Sequence, residues 1–141
     1  MGVKELRIFM VENSQALRDR LARILSALQG VRVVGYAGSA AEAIEGIQEA
    51  KPDVVTLDIL LDKGTGYDVL EKIKTPSLSP IVIVLTNYPY PQYRAKYLQG
   101  GADYFFDKST ELDSVLGVLK TLLEQKSPSR ERRTGKTTPT S

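Results

Sequence analysis

Ile81-Val82-Ile83-Val84-Leu85-Thr86-Asn87 is the stretch that decides the fold. Five apolar residues in a row form the most strongly apolar segment of the chain, as expected of a strand at the centre of a parallel sheet covered on both faces. The run stops at Thr86-Asn87, so polar groups fall where the strand ends. Upstream, Val54-Val55-Thr56-Leu57 is a similar strand, opened after Pro52 and ending at Asp58. Leu6-Arg7-Ile8-Phe9-Met10-Val11 is another, ending at Glu12-Asn13, and Val31-Arg32-Val33-Val34-Gly35-Tyr36 a further one. Downstream, Tyr104-Phe105-Phe106 makes the fifth and ends at Asp107-Lys108.

Between these strands the apolar period changes from two to three and four, the signature of a helix with one buried face. Leu17, Leu21, Ile24, Leu25 and Leu28 mark the first helix, with Gly30 as its expected end. Ser39 with Glu42 three residues on predicts a capping box opening a helix through Ala43, Ile44 and Ile47. Val69, Leu70 and Ile73 give a short third helix. The fourth is weaker, with Pro91 in its first turn and Gly100-Gly101 closing it. Ser109 or Thr110 is expected to cap the last, which carries Leu112, Val115, Leu116, Leu119 and Leu122. Strict alternation of five strands and five helices predicts a doubly wound parallel α/β sheet, with right-handed crossovers placing helices on both faces.

Composition bounds the chemistry. The 141 residues fit one domain, and 42% hydrophobic content suffices for a core. No cysteine and no histidine are present, which excludes a disulfide framework, thiolate or imidazole zinc sites and histidine-based acid–base catalysis. No apolar run approaches the roughly 20 residues that cross a bilayer, and the opening carries no signal-peptide pattern, so a cytoplasmic protein without a membrane partner is expected. The net charge of +2 is uneven. From Gln125 onward the chain carries Lys126, Arg130, Arg132, Arg133 and Lys136 against Glu131, leaving residues 1–124 mildly acidic. Residues 125–141 read as a basic, disordered tail. It is a solvated terminus, a linker from which an output domain was cut, or an electrostatic handle for nucleic acid or a protein.

In a sheet of this kind ligands bind outside the carboxyl ends of the strands. Glu12, Asn13, Asp58, Thr86, Asn87, Asp107 and Lys108 all fall there. Carboxylates with an amide oxygen suit a hard cation such as Mg²⁺. An aspartate can form an acyl phosphate, and a cation, a lysine and a hydroxyl can neutralise and bind the phosphoryl oxygens. Any phosphoryl donor must be external, because the chain has no histidine.

Five segments carry a family resemblance: Val11-Glu12-Asn13, Leu57-Asp58-Ile59-Leu60, Gly66-Tyr67-Asp68-Val69-Leu70, Leu85-Thr86-Asn87, and Gly101-Ala102-Asp103-Tyr104-Phe105-Phe106-Asp107-Lys108. In order and spacing they resemble response-regulator receiver domains over about residues 5–124. The resemblance implies a flavodoxin-like five-stranded parallel sheet of order 2-1-3-4-5. It also implies Mg²⁺-dependent phosphotransfer from a histidine kinase or a histidine phosphotransfer protein. Asp58 resembles the phosphoacceptor, Glu12 and Asn13 the metal-binding pair, and the Leu60 carbonyl a further metal ligand. Thr86 resembles the switch hydroxyl, Lys108 the phosphate-binding lysine and Phe105 the rotating aromatic. The implied output is a changed surface over the fourth helix, fifth strand and fifth helix, read by a downstream protein or by a second copy in a phosphorylation-dependent homodimer.

The departures are specific. Asn13 stands where the family usually has an aspartate, which removes one negative charge from the metal site. Asp62 and Ser109 replace prolines. Leu60, Asn87 and Tyr88 occupy positions that influence attack of water on the acyl phosphate, and two bulky non-acidic side chains there suggest slow self-dephosphorylation. Three further readings stand beside the switch. One is a degenerate receiver that binds partners without phosphorylation, favoured by Asn13; another is the regulatory part of a DNA-binding regulator. The third is a small-molecule enzyme of the same fold, disfavoured because Glu12-Asn13-Ser14-Gln15 is no glycine-rich phosphate cradle. No helix-turn-helix pattern follows Leu123, so a stand-alone protein without direct nucleic-acid binding is expected.

Overall fold

The computed structural model describes residues 5–126. Elements alternate as β1 (Leu6–Val11), α1 (Gln15–Ser26), β2 (Val31–Ala37), α2 (Ala40–Ala50) and β3 (Val54–Leu57), followed by α3 (Gly66–Ile73), β4 (Ile81–Thr86), α4 (Pro91–Gln99), β5 (Tyr104–Asp107) and α5 (Leu112–Lys126). All pairings are parallel and the sheet order is β2-β1-β3-β4-β5, the doubly wound flavodoxin-like order expected.

The strands send alternate side chains to two cores. Phe9, Val11, Val55, Leu57, Val82, Val84 and Phe105 pack against one layer, with Ile47, Leu70 and Tyr97 from α2, α3 and α4. Leu6, Ile8, Met10, Val54, Ile83 and Leu85 pack against the other, with Leu25 of α1 and Val115 and Leu119 of α5. Burial on both faces explains why the central strands read as unbroken apolar runs rather than as an alternation.

Several helix boundaries differ from the sequence reading. α1 stops at Ser26 rather than at Gly30, and its end tightens through the Leu28 amide, which donates to the Leu25 carbonyl at 3.0 Å. Gly30, at φ +91°, instead turns the chain into β2, and its carbonyl accepts the Leu6 amide at 2.7 Å. Ser39 Oγ caps α2 by accepting the Glu42 amide at 3.4 Å, while the complete reciprocal box lies on Thr65 and Asp68 at α3. Pro91 opens α4 as expected. Neither Ser109 nor Thr110 caps α5, which begins at Leu112; Ser109 gives its hydroxyl to Asp107 Oδ1 at 2.7 Å. Gln125 and Lys126, read as the start of the tail, are the last residues of α5, and residues 127–141 of that tail lie outside the described residues.

Candidate functional site

The rim at the carboxyl ends of the strands is held by ladder bonds that run one residue past each strand. The Glu12 amide donates to the Ala37 carbonyl at 2.9 Å, the Asp58 amide to Val11 at 3.0 Å and the Lys108 amide to Thr86 at 2.9 Å. Each backbone is therefore fixed by the neighbouring strand. Chain direction out of β1 and β3 diverges at this point, where such sheets form a crevice.

The crevice closes on one ammonium. Lys108 Nζ donates to Glu12 Oε1 at 2.6 Å and to Asp58 Oδ2 at 3.0 Å. Glu12 and Asp58 are buried, 6% and 8% exposed. The second oxygen of each is also fixed: the Ile59 amide donates to Asp58 Oδ1 at 2.7 Å and the Ser14 amide to Glu12 Oε2 at 3.1 Å. Burial raises the Asp58 carboxyl above its ordinary pKa; Lys108 opposes that shift and the charge of Glu12 adds to it. Burial alone would lower the Lys108 ammonium, but its hydrogen bond to Glu12 and the charge of Asp58 outweigh it and hold the pKa above the ordinary value. Two buried carboxylates thus share one cation, leaving one excess negative charge. A buried charge without compensation is costly, so the site is suited to taking up positive charge.

The Glu12 and Asp58 carboxylates meet at Lys108, while the Asn13 amide and the Leu60 carbonyl, expected as further metal ligands, follow them closely in the chain, so a metal here would find oxygen donors. Among the described residues no donor bonds the Leu60 carbonyl, and no three His, Cys, Asp or Glu side chains gather to hold an ion. Two carboxylates with neutral oxygens fit a hard cation that keeps part of its water shell. Asn13, next to Glu12 in the chain, is exposed.

Thr86 is fully buried, and its Oγ1 accepts the Tyr88 amide at 2.9 Å, so the hydroxyl is tied to the loop leading into α4. Phe105, 3% exposed, points into the core with its ring 6.3 Å from Tyr97, which in turn meets Tyr67 edge-on at 5.4 Å. Burial raises the Tyr97 hydroxyl to about 12. Leu60 and Tyr88, 47% and 40% exposed, lie on the β3–α3 and β4–α4 loops, two residues past Asp58 and Thr86. The sheet therefore brings Glu12, Asp58 and Lys108 into direct contact, and keeps Thr86 and Phe105 on the strands leading to them.

Three features escaped the sequence reading. Gly66 packs so closely under Asp58 that a Cβ there would lie 2.2 Å from the Asp58 carbonyl oxygen. Arg94 of α4 donates to the Phe105 carbonyl at 3.0 Å and lies over the Phe105 ring. Arg20 of α1 reaches a cavity of about 210 Å³ that Asp58, Asn87 and Lys108 also line. Its one signal in the sequence is a charge placed among Leu17, Leu21 and Ile24 on the helix's apolar side.

Comparison with known proteins agrees with this geometry. The family model described as the response regulator receiver domain matches residues 8–120. A protein-glutamate methylesterase/protein-glutamine glutaminase of Rhizobium etli is 42% identical over 80 residues, covering 57% of this chain and 23% of that protein. A putative transcriptional regulator of Pseudomonas aeruginosa is 32% identical over 117 residues, covering 83% of this chain and 56% of that one. The chain thus spans less than two thirds of either relative. Among solved structures, the response regulator domain of Thermotoga maritima CheB superposes with a TM-score of 0.74 at 27% identity, over 87% of this chain and 96% of that one. Fold and matched span agree, and the chain belongs to the response regulator receiver domain family of two-component signalling.

Proposed function

We propose that Asp58 accepts a phosphoryl group from a histidine kinase or a histidine phosphotransfer protein, with Mg²⁺ at Glu12, Asn13, Asp58 and the Leu60 carbonyl. The observation that carries this is the single ammonium of Lys108 shared between the buried Glu12 and Asp58 at 2.6 and 3.0 Å. In the transfer, an Asp58 carboxylate oxygen forms the bond to phosphorus as the P–N bond of the donor's phosphohistidine breaks, and the imidazole leaves with that electron pair. Mg²⁺ would supply charge neutralisation on the phosphoryl oxygens. Ile59 orients the carboxylate by holding Oδ1, and Lys108 stands ready to move from carboxylate to phosphoryl oxygen. Thr86 then gives its hydroxyl to the phosphoryl group, which asks the β4–α4 loop to adjust at Tyr88. The change passes to the α4–β5–α5 face, where Phe105 turns, and a downstream protein or a second copy reads it.

In this reading the chain is a phosphoacceptor switch rather than an enzyme with a separate substrate, a cytoplasmic receiver whose last helix runs to Lys126 and is followed by a basic tail. Leu60 and Tyr88 beside the acyl phosphate slow its hydrolysis, so phosphorylated protein persists beyond minutes. A second reading, partner binding without phosphorylation, draws on the neutral Asn13 in the metal site. A third, the regulatory part of a DNA-binding regulator, draws on the longer transcriptional regulator that this chain matches.

The test is incubation with acetyl phosphate, with and without Mg²⁺, followed by intact-mass analysis of the wild type and Asp58→Ala. One added phosphoryl mass that requires both Mg²⁺ and Asp58 is expected. No added mass, together with no beryllofluoride binding, would replace the switch with the phosphorylation-independent reading.

A further inference from the structure

Resting on the phosphoacceptor reading, we propose that Arg20 is a specificity-determining residue that selects phosphoryl donors with an anionic leaving group. The cavity beside Asp58 runs between α1 and the start of α5, walled by Leu17, Leu21, Ile24 and Leu112. Its polar end holds Asp58, Asn87 and Lys108, and Arg20 lines the same space. The two cations differ in their commitments. Lys108 is engaged by Glu12 and Asp58. Arg20 has neither an ion pair nor a side-chain hydrogen bond among the described residues. By contrast, Arg18 on the same helix gives its guanidinium to the Glu12 carbonyl at 3.0 Å and lies over Tyr36. An exposed guanidinium at the cavity that the nucleophile lines, in no ion pair among the described residues, is free to meet charge brought by the donor.

The step differs between two small donors. With acetyl phosphate, the Asp58 oxygen bonds to phosphorus, the bridging P–O bond breaks, and acetate departs with the electron pair as a stable anion. Arg20 attracts both that donor and the charge growing on its leaving oxygen. With phosphoramidate, the P–N bond breaks from a protonated nitrogen and neutral ammonia departs. Its leaving nitrogen begins positive, and Arg20 repels it. A phosphohistidine, whose imidazole departs neutral, gains nothing from Arg20 at its leaving nitrogen; carboxylates beside it on a protein donor supply instead the negative charge that Arg20 attracts.

The experiment measures initial rates of phosphoryl addition at Asp58 by intact mass, in Mg²⁺ buffer, for both donors. Wild type, Arg20→Ala, Arg20→Lys and Arg23→Ala are compared, Arg23 being a cation of the same helix that does not line the cavity. The acetyl phosphate to phosphoramidate rate ratio is expected to fall about three- to fivefold in Arg20→Ala, the size of one partly screened charge interaction. Arg20→Lys should recover most of it and Arg23→Ala should leave it unchanged. An unchanged ratio in Arg20→Ala, or an equal fall in Arg23→Ala, would overturn the assignment while leaving the phosphoacceptor reading intact. Failure of the wild type to gain mass from either donor would remove both.

Discussion

Substituting alanine for Gly66 sets two effects against each other, and the structure decides the sign. Gly66 is the first residue of α3, where alanine in place of glycine would by helix propensity gain up to about 1 kcal/mol. The added Cβ, however, would lie 2.2 Å from the Asp58 carbonyl oxygen, 3.2 Å from its carbon and 3.3 Å from Ile59 Cα. All three are backbone atoms, so no side chain can swing away. Restoring ordinary contact requires a displacement of about 1 Å. It separates α3 from the end of β3 and strains the Gly66 amide to Ile59 carbonyl bond of 2.8 Å. Overpacking costs about 1–3 kcal/mol and a weakened buried hydrogen bond about 1 kcal/mol. The net expectation is a loss of about 2 kcal/mol, which shifts a urea midpoint down by about 1 M. The assay is equilibrium urea unfolding followed by circular dichroism, with beryllofluoride binding as the readout of Asp58 geometry. A midpoint unchanged or raised in Gly66→Ala would refute the close-approach argument.

Two further perturbations follow from the site. Because burial raises the Asp58 pKa, the folded state holds that proton more tightly than the unfolded chain does, and this contribution to stability is lost as pH rises through the folded value. Asp58→Asn should therefore stabilise the protein at pH 7, leaving Lys108 paired with Glu12 alone. The gain should shrink toward pH 4, and urea unfolding at the two pH values checks it; a gain that grows on acidification would contradict the shift. Thr86→Ala removes the acceptor of the Tyr88 amide, at a cost of about 1 kcal/mol. Mass addition at Asp58 should continue in that variant, while the phosphorylation-induced amide shifts from Tyr88 into α4 disappear from its NMR spectrum. Thr86→Ser should retain them.

Much of the fold was legible because its evidence is local. The run from Ile81 to Leu85 and the three-and-four spacing from Leu17 to Leu25 each report which neighbours in the chain share a buried face, and the structure has a strand and a helix there. The identities of the strand-end residues Glu12, Asp58, Thr86 and Lys108 were visible for the same reason. Strand order came with the family resemblance, since periodicity is silent about which strands are neighbours. Local patterns misled where tertiary packing set the backbone. Leu28 continues the apolar stripe of α1, yet it packs from a turn beyond the helix's end, and Gly30 serves the entry into β2 rather than the helix terminus.

What the sequence by itself determined is the alternation of elements and the chemical groups at the strand ends, both set by interactions between residues a few positions apart. The tertiary structure alone decided which of those groups touch. Lys108 reaches Glu12 across 96 residues of chain and Asp58 across 50, and only the parallel stacking of β1, β3, β4 and β5 brings the three together. The sharing of one ammonium by two buried carboxylates, the tight seat of Gly66 beneath Asp58, and the place of Arg20 at the same cavity all depend on distances in space. No period along the chain encodes those distances.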